Sequence, residues 1–189
     1  LHKKCLNLGV KIKFGYEVKK ITKKESKIAR IKFSNGEVLS KFDYIINTIP
    51  ITTLSDALGY DHKYPLKFRS LIFGFLSFDK PKLSPYHWIY IPDTPTKKFC
   101  FQRITEFSQL SANMAFSGKT CIAAEIPCFA DDEMWNNSDK KIIEIIARDL
   151  VNIGLIKKDD KFNATIIKQE YAYPVQYIGF LEMIRDIVF

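Results

Sequence analysis

Apolar and polar residues alternate through much of the first fifty positions, with the period of a strand buried on one face. Val10, Ile12 and Phe14 alternate with Lys11 and Lys13, and the runs 17–22, 27–33 and 37–41 continue the pattern. The polar stretch 23–26 separates two of these runs. Ser34-Asn35-Gly36 separates two more, and because Asn and Gly accept a positive φ it predicts a tight type I′ hairpin turn. Residues 43–49 form a more continuous apolar run, which predicts a strand buried on both faces. Pro50 stops that run and opens a short helix over 51–58.

A loop over 59–67 leads to a second set of elements. Residues 69–78 read as a long aromatic and aliphatic strand, and Pro81, Pro85, Pro92 and Pro95 then leave room for a short one at 87–91. Further strands are predicted at 99–105, 120–127 and 162–172. The longest helix is predicted over 138–153. Ile142, Ile145, Ile146, Leu150 and Ile153 share one face, Asn137 or Ser138 caps the start, and Gly154 fits the end. A further helix starts after Gly179. The fold class is therefore α+β, mainly antiparallel sheet with few helices. Its expected divisions are 1–58, 59–178 and 179–189.

Composition changes this picture little. A 47% hydrophobic, 14% aromatic chain of 189 residues has material for a core and is not disordered. Its net charge of +8 is spread in ones and twos over dissimilar segments, so no clustered stripe marks a nucleic-acid face. Cys5, Cys100, Cys121 and Cys128 make no C-x-x-C pair, and His2, His62 and His87 are widely spaced. Reduced thiols in a cytoplasmic protein, with no metal site, are the expectation. Asp131-Asp132-Glu133 reads as a solvated turn. No apolar run reaches the ~20 residues of a membrane span. The chain begins at Leu1 and stops at Phe189 inside an apolar run, and is read as the middle piece of a longer protein. An apolar surface exposed by such a cut would favour a homodimer.

No phosphate-binding glycine loop is present. One ordered set of segments nonetheless carries a resemblance. Leu8-Gly9-Val10-Lys11-Ile12, Glu17-Val18-Lys19-Lys20-Ile21, Asn35-Gly36-Glu37 and the run Asp43-Tyr44-Ile45-Ile46-Asn47-Thr48-Ile49-Pro50 resemble part of the FAD-dependent amine oxidase and protoporphyrinogen oxidase group. The resemblance implies a piece of a two-domain FAD/NAD(P)-binding-type flavoprotein. In that group the backbone at the position of Val18 meets the adenine of FAD, and the segment matching Thr48, Ile49 and Pro50 passes the ADP portion. Taken singly, Val18 is ordinary strand core and Thr48-Ile49-Pro50 a strand end.

The second half resembles the substrate domain of UDP-galactopyranose mutases, on His87-Trp88-Ile89-Tyr90-Ile91-Pro92-Asp93, Phe99-Cys100-Phe101-Gln102-Arg103, Phe107-Ser108 and Tyr171-Ala172-Tyr173-Pro174. Gln102 departs from the tyrosine expected there. The likeness implies that Arg103 meets a substrate diphosphate, which suits its planar fork. The alternative for a buried arginine is a local carboxylate such as Glu106 or Glu125. Trp88 and Tyr90 share a strand face, either as a stacking platform for a substrate ring or as sheet packing, and Tyr173 joins them as a candidate. No acid–base pair or nucleophile stands out as catalytic. The resemblance thus implies the middle portion of an FAD-dependent oxidoreductase acting on a small molecule. Its alternatives are a mutase acting on a nucleotide sugar and a non-catalytic sheet domain that binds a protein or glycan.

Overall fold

A computed structural model describes residues 1–25, 27–59, 66–94 and 98–188. Ser26, most of the 59–67 loop with His62, and Pro95 lie outside the described residues. The chain divides into two units, Leu1–Leu66 with Gln176–Phe189, and Lys67–Val175.

The first unit opens with helix α1, His2–Asn7. The strand expected at Val10–Phe14 is absent. Val10 donates its N–H to the Cys5 carbonyl at 3.0 Å, closing the helix end, and the Phe14 ring lies 5.9 Å from His2. Alternation makes a strand only where a neighbour completes the ladder, and here the backbone is spent on the helix. An antiparallel meander follows, built from β1 (Val18–Lys24), β2 (Lys27–Phe33) and β3 (Val38–Ser40).

The β2–β3 turn differs from the type I′ expectation. Phe33 N–H donates to Glu37 O at 2.9 Å, and only Gly36, at φ +85°, takes the left-handed conformation. That is a three-residue loop, in which Asn35 Oδ1 accepts the Glu37 N–H.

The doubly buried strand predicted over 43–49 is also not formed. Tyr44 is 93% and Ile46 90% exposed. A strand of that kind needs a ladder partner, and the described meander ends at Ser40, after which Lys41 turns the chain at φ +68°. Helix α2 (Ile51–Leu58) begins after Pro50, ends at left-handed Gly59, and packs on β1.

The second unit is a five-stranded antiparallel sheet in the order β5-β6-β7-β4-β8. Its strands are β4 (Phe68–Phe78), β5 (Trp88–Tyr90), β6 (Arg103–Glu106), β7 (Thr120–Cys128) and β8 (Phe162–Pro174). Between them lie α3 (Phe107–Leu110), a 3-10 turn at Ala112–Met114, α4 (Glu133–Asn136) and α5 (Asp139–Asn152). Strand β6 starts later than the predicted 99 because the Cys100 N–H donates to Asp149 Oδ2 at 2.9 Å instead of to a ladder.

Ser138 Oγ caps α5, accepting the Lys141 N–H. The helix lays Ile142, Ile146 and Leu150 on the sheet face built from Ile72, Leu76, Ile122, Ala124 and Ile126. Burying each such side chain contributes about 1.5–3 kcal/mol. Gly74 permits the closest approach, since a Cβ there would stand 2.3 Å from Ile146 Cδ1. Helix α6 (Phe180–Val188) belongs to the first unit. Strands in antiparallel runs with few helices make the architecture α+β, as the sequence pattern predicts.

Candidate functional site

Strand alternation sends every second residue of the five-stranded sheet away from α5. That open face carries Tyr90 on β5, Arg103 on β6, Glu125 on β7, and Phe73 on β4 in one cross-strand row. Two rows further on, Arg69 lies opposite Tyr173 of β8. With Leu71 and Pro127 between the rows, Tyr90, Arg103, Glu125, Arg69 and Tyr173 line an open trough of about 500 Å3, and Phe73 lies beyond it.

Electrostatics at one end of the trough are set by a forked ion pair. Arg103 Nε donates to Glu125 Oε1 at 2.8 Å and Nη2 to Oε2 at 2.6 Å. The β6–β7 register places the two residues directly opposite each other. Glu125 is only 8% exposed, so the pair is what lets a carboxylate sit there. The hydrogen bonds to Glu125, followed by that to Tyr90, hold the guanidinium above its ordinary value. Arg103 Nη1 reaches the Tyr90 hydroxyl at 3.4 Å, and the Tyr90 ring centroid lies 5.9 Å from the guanidinium carbon. Tyr90 is thereby held over the trough although it is 66% exposed.

Away from the trough the same face turns aromatic. Phe73 stacks on Phe75 and Phe75 on Phe107, each pair with centroids 6.1 Å apart. Such a ribbon of ring faces suits a flat apolar partner.

The sequence-predicted residues fall into two groups. Tyr90, Arg103 and Tyr173 come together in the trough, with Gln102 beside them. Trp88 shares the face of Tyr90 but does not line the trough, and its ring stands edge-on to His87 at 4.8 Å. Val18, Thr48, Ile49 and Pro50 belong to the first unit. Val18 opens β1 opposite Phe33, and Ile49 and Pro50 lead into α2, which packs on that strand. Thr48 is exposed, and the Ile49 carbonyl accepts from Asn47 Nδ2 at 3.1 Å.

Sequence reasoning did not single out Arg69. An arginine at the exposed start of a strand carries no local signal, and only the β4–β8 register brings it beside Tyr173. Among the described residues no cluster of three or more His, Cys, Asp or Glu could hold a metal, and no helix is long and apolar enough to cross a membrane.

Residues 1–175 match the sequence pattern of the flavin containing amine oxidoreductases. The chain belongs to that family. None of the curated proteins matches it in sequence. Solved structures share the fold of this amine oxidoreductase-family chain at low identity. A reduced UDP-galactopyranose mutase superposes with a TM-score of 0.75 at 22% identity, covering 95% of this chain and 39% of its own. A protein assigned as a protoporphyrinogen oxidase from Exiguobacterium sp. 255-15 gives 0.65 at 20%, covering 90% and 37%. An oxidoreductase from Methanosarcina mazei gives 0.61 at 20%, covering 90% and 41%. The chain therefore spans about two fifths of the length of these structures.

Proposed function

We propose that this chain is the substrate-facing and cofactor-edge portion of an FAD-dependent oxidoreductase acting on a small molecule, with the open face of the five-stranded sheet as the substrate face. The observation that carries the reading is the asymmetry of that sheet. One face is sealed by α5, while the other presents the aromatic row Phe73, Phe75 and Phe107 beside the Tyr90–Arg103–Glu125–Tyr173 trough. A sheet that buries one face and leaves an aromatic, partly charged hollow on the other has the makings of a ligand site.

The residues fit part of an FAD site. Among the described residues strand β1 lies at the edge of its sheet, where N–H and C=O groups could pair with an adenine edge, and Val18 lies half-buried at its start. Thr48, Ile49 and Pro50 would border the ADP portion. A glycine loop for the pyrophosphate is not in this sequence, so that contact falls to other parts of the protein. Bound flavin supplies hydride acceptance, and the chain's own residues bind and orient. Arg103 and Glu125 lock Tyr90 in place, and the phenylalanine row excludes water from one side of the hollow.

The test is the absorbance spectrum of the purified full gene product that contains this chain. A yellow protein that bleaches on anaerobic reduction is expected. A colourless protein that takes up no added FAD overturns the reading.

A second reading, a nucleotide-sugar mutase, is favoured by the meeting of Tyr90, Arg103 and Tyr173 in one trough. Against it, the Nε–Nη2 edge of Arg103 is already spent on Glu125, and Nη1 faces the Tyr90 hydroxyl. Titration with UDP decides between them: binding that disappears in Arg103→Ala supports the mutase, and no binding at millimolar ligand removes it.

A further inference from the structure

The two arginines of the trough differ in how their charge is matched. Arg103 is matched one for one by the Glu125 carboxylate, and a neutral pair offers an incoming anion little net attraction. Arg69, exposed at the start of β4, makes no ion pair within 4.0 Å among the described residues. Its guanidinium carbon lies 5.2 Å from the centroid of the Phe129 ring. Asp132, three residues beyond Phe129, accepts the Phe129 N–H on Oδ2 at 2.7 Å. Across the strand pair from Arg69 stands Tyr173, 57% exposed, with its hydroxyl as a further donor.

We propose that Arg69 is the residue that binds the oxyanion of the ligand, a phosphate or a carboxylate, with Tyr173 beside it. The Arg103–Glu125 pair is then a positioning element that holds Tyr90 against the uncharged, hydroxyl-bearing part. This rests on the open face being the substrate face. Arg69 and Arg103 are separated by two strand spacings and four residues along the strand, roughly 15 Å of sheet. A ligand reaching both ends is therefore elongated, with its charge at the β4–β8 end. A flat cation with a free fork favours a bidentate oxyanion over a point contact.

Calorimetric titration of the full gene product that contains this chain, with inorganic pyrophosphate and, in parallel, with malonate, tests this by a readout other than flavin. At least one probe should bind at millimolar concentration. Arg69→Ala should weaken it tenfold or more, with Arg69→Lys in between. Arg103→Ala alone risks misfolding because it strands Glu125, so whether Arg103 shares in binding the anion is read from the double variant Arg103→Leu with Glu125→Leu. That variant should keep probe affinity within about threefold. Circular dichroism verifies that each variant is folded. Wild-type affinity in Arg69→Ala, loss in the folded double variant, or no binding of either probe overturns the proposal. Pyrophosphate alone, or malonate alone, identifies the oxyanion. A colourless gene product would overturn the flavin reading and leave these titrations standing.

Discussion

The two units of the chain use similar raw material to different effect. In the second, an amphipathic helix covers one face of a five-stranded sheet, and Ile72, Leu76, Ile122, Ile142, Ile146 and Leu150 are fully shielded from solvent. In the first, a three-stranded meander packs on the short α2, and among the described residues the buried apolar side chains there are Ile21, Ala57 and Phe180. Its apolar run at 43–49 remains largely exposed. Strand-forming residues become a stable layer only when another element covers them, and it is the covering helix that distinguishes the units.

The largest test of that contrast is a pair of truncations. Ile146→Ala removes a side chain wedged over Gly74 and should cost about 2–5 kcal/mol, read from urea unfolding. Ile21→Ala, in the thinner unit, should fall at or below the lower end of that range. Equal losses would mean that the meander is as well packed as the helix-covered sheet.

Next in size is Glu106→Gln. This carboxylate, 2% exposed, accepts from the Leu83 N–H at 2.7 Å, the Ser84 N–H at 2.9 Å and the Thr120 hydroxyl at 2.8 Å. An amide would turn one acceptor into a donor facing a donor, at about 1–3 kcal/mol. Faster hydrogen exchange at the Leu83 and Ser84 amides should accompany the loss. Unchanged exchange there would show that the loop is held by other contacts.

Smaller again is the effect of the ion pair in the trough. Among the described residues, Arg103→Ala leaves Glu125 with the 3.4 Å contact from Thr105, and it should cost about 1–3 kcal/mol, at the low end because Arg103 is a third exposed. Removing both partners with leucines should recover most of it. A double variant as unstable as the single one would show that the pair is not what lets Glu125 be buried.

How much of this could be read in the sequence follows from the same contrast. The face of α5, its Ser138 cap and the strands β4, β7 and β8 follow from periodicity, because each residue's side is fixed by the element's own repeat. The runs at 10–14 and 43–49 carry the same signal and form no strand, because a ladder depends on a partner elsewhere in the chain. Glu125 was one of the carboxylates open to Arg103, and only the β6–β7 register, joining residues 22 apart, selects it. Arg69 is invisible for a related reason, since what marks it is the carboxylate it lacks.

The smallest effect is a pH dependence that separates the units. Lys80 Nζ lies 2.6 Å from both oxygens of Asp160, and with the Lys157 N–H it holds that carboxyl below its ordinary 3.8. In the first unit the Tyr16 hydroxyl, then Lys13, hold Glu37 below its ordinary 4.5. A carboxyl with a depressed folded value contributes stability above its unfolded value and loses it as pH falls through the folded one. Both units should therefore weaken on the acid side, below about pH 4. Salt tells them apart. The Asp160 side chain is 12% exposed and that of Glu37 50%, so screening should erase more of the Glu37 shift. Carboxyl NMR titrations at low and at roughly molar salt would measure both. If the Asp160 shift collapses with salt as fully as that of Glu37, the Lys80 contact is a surface pair like the other, and at this site the second unit has no electrostatic advantage.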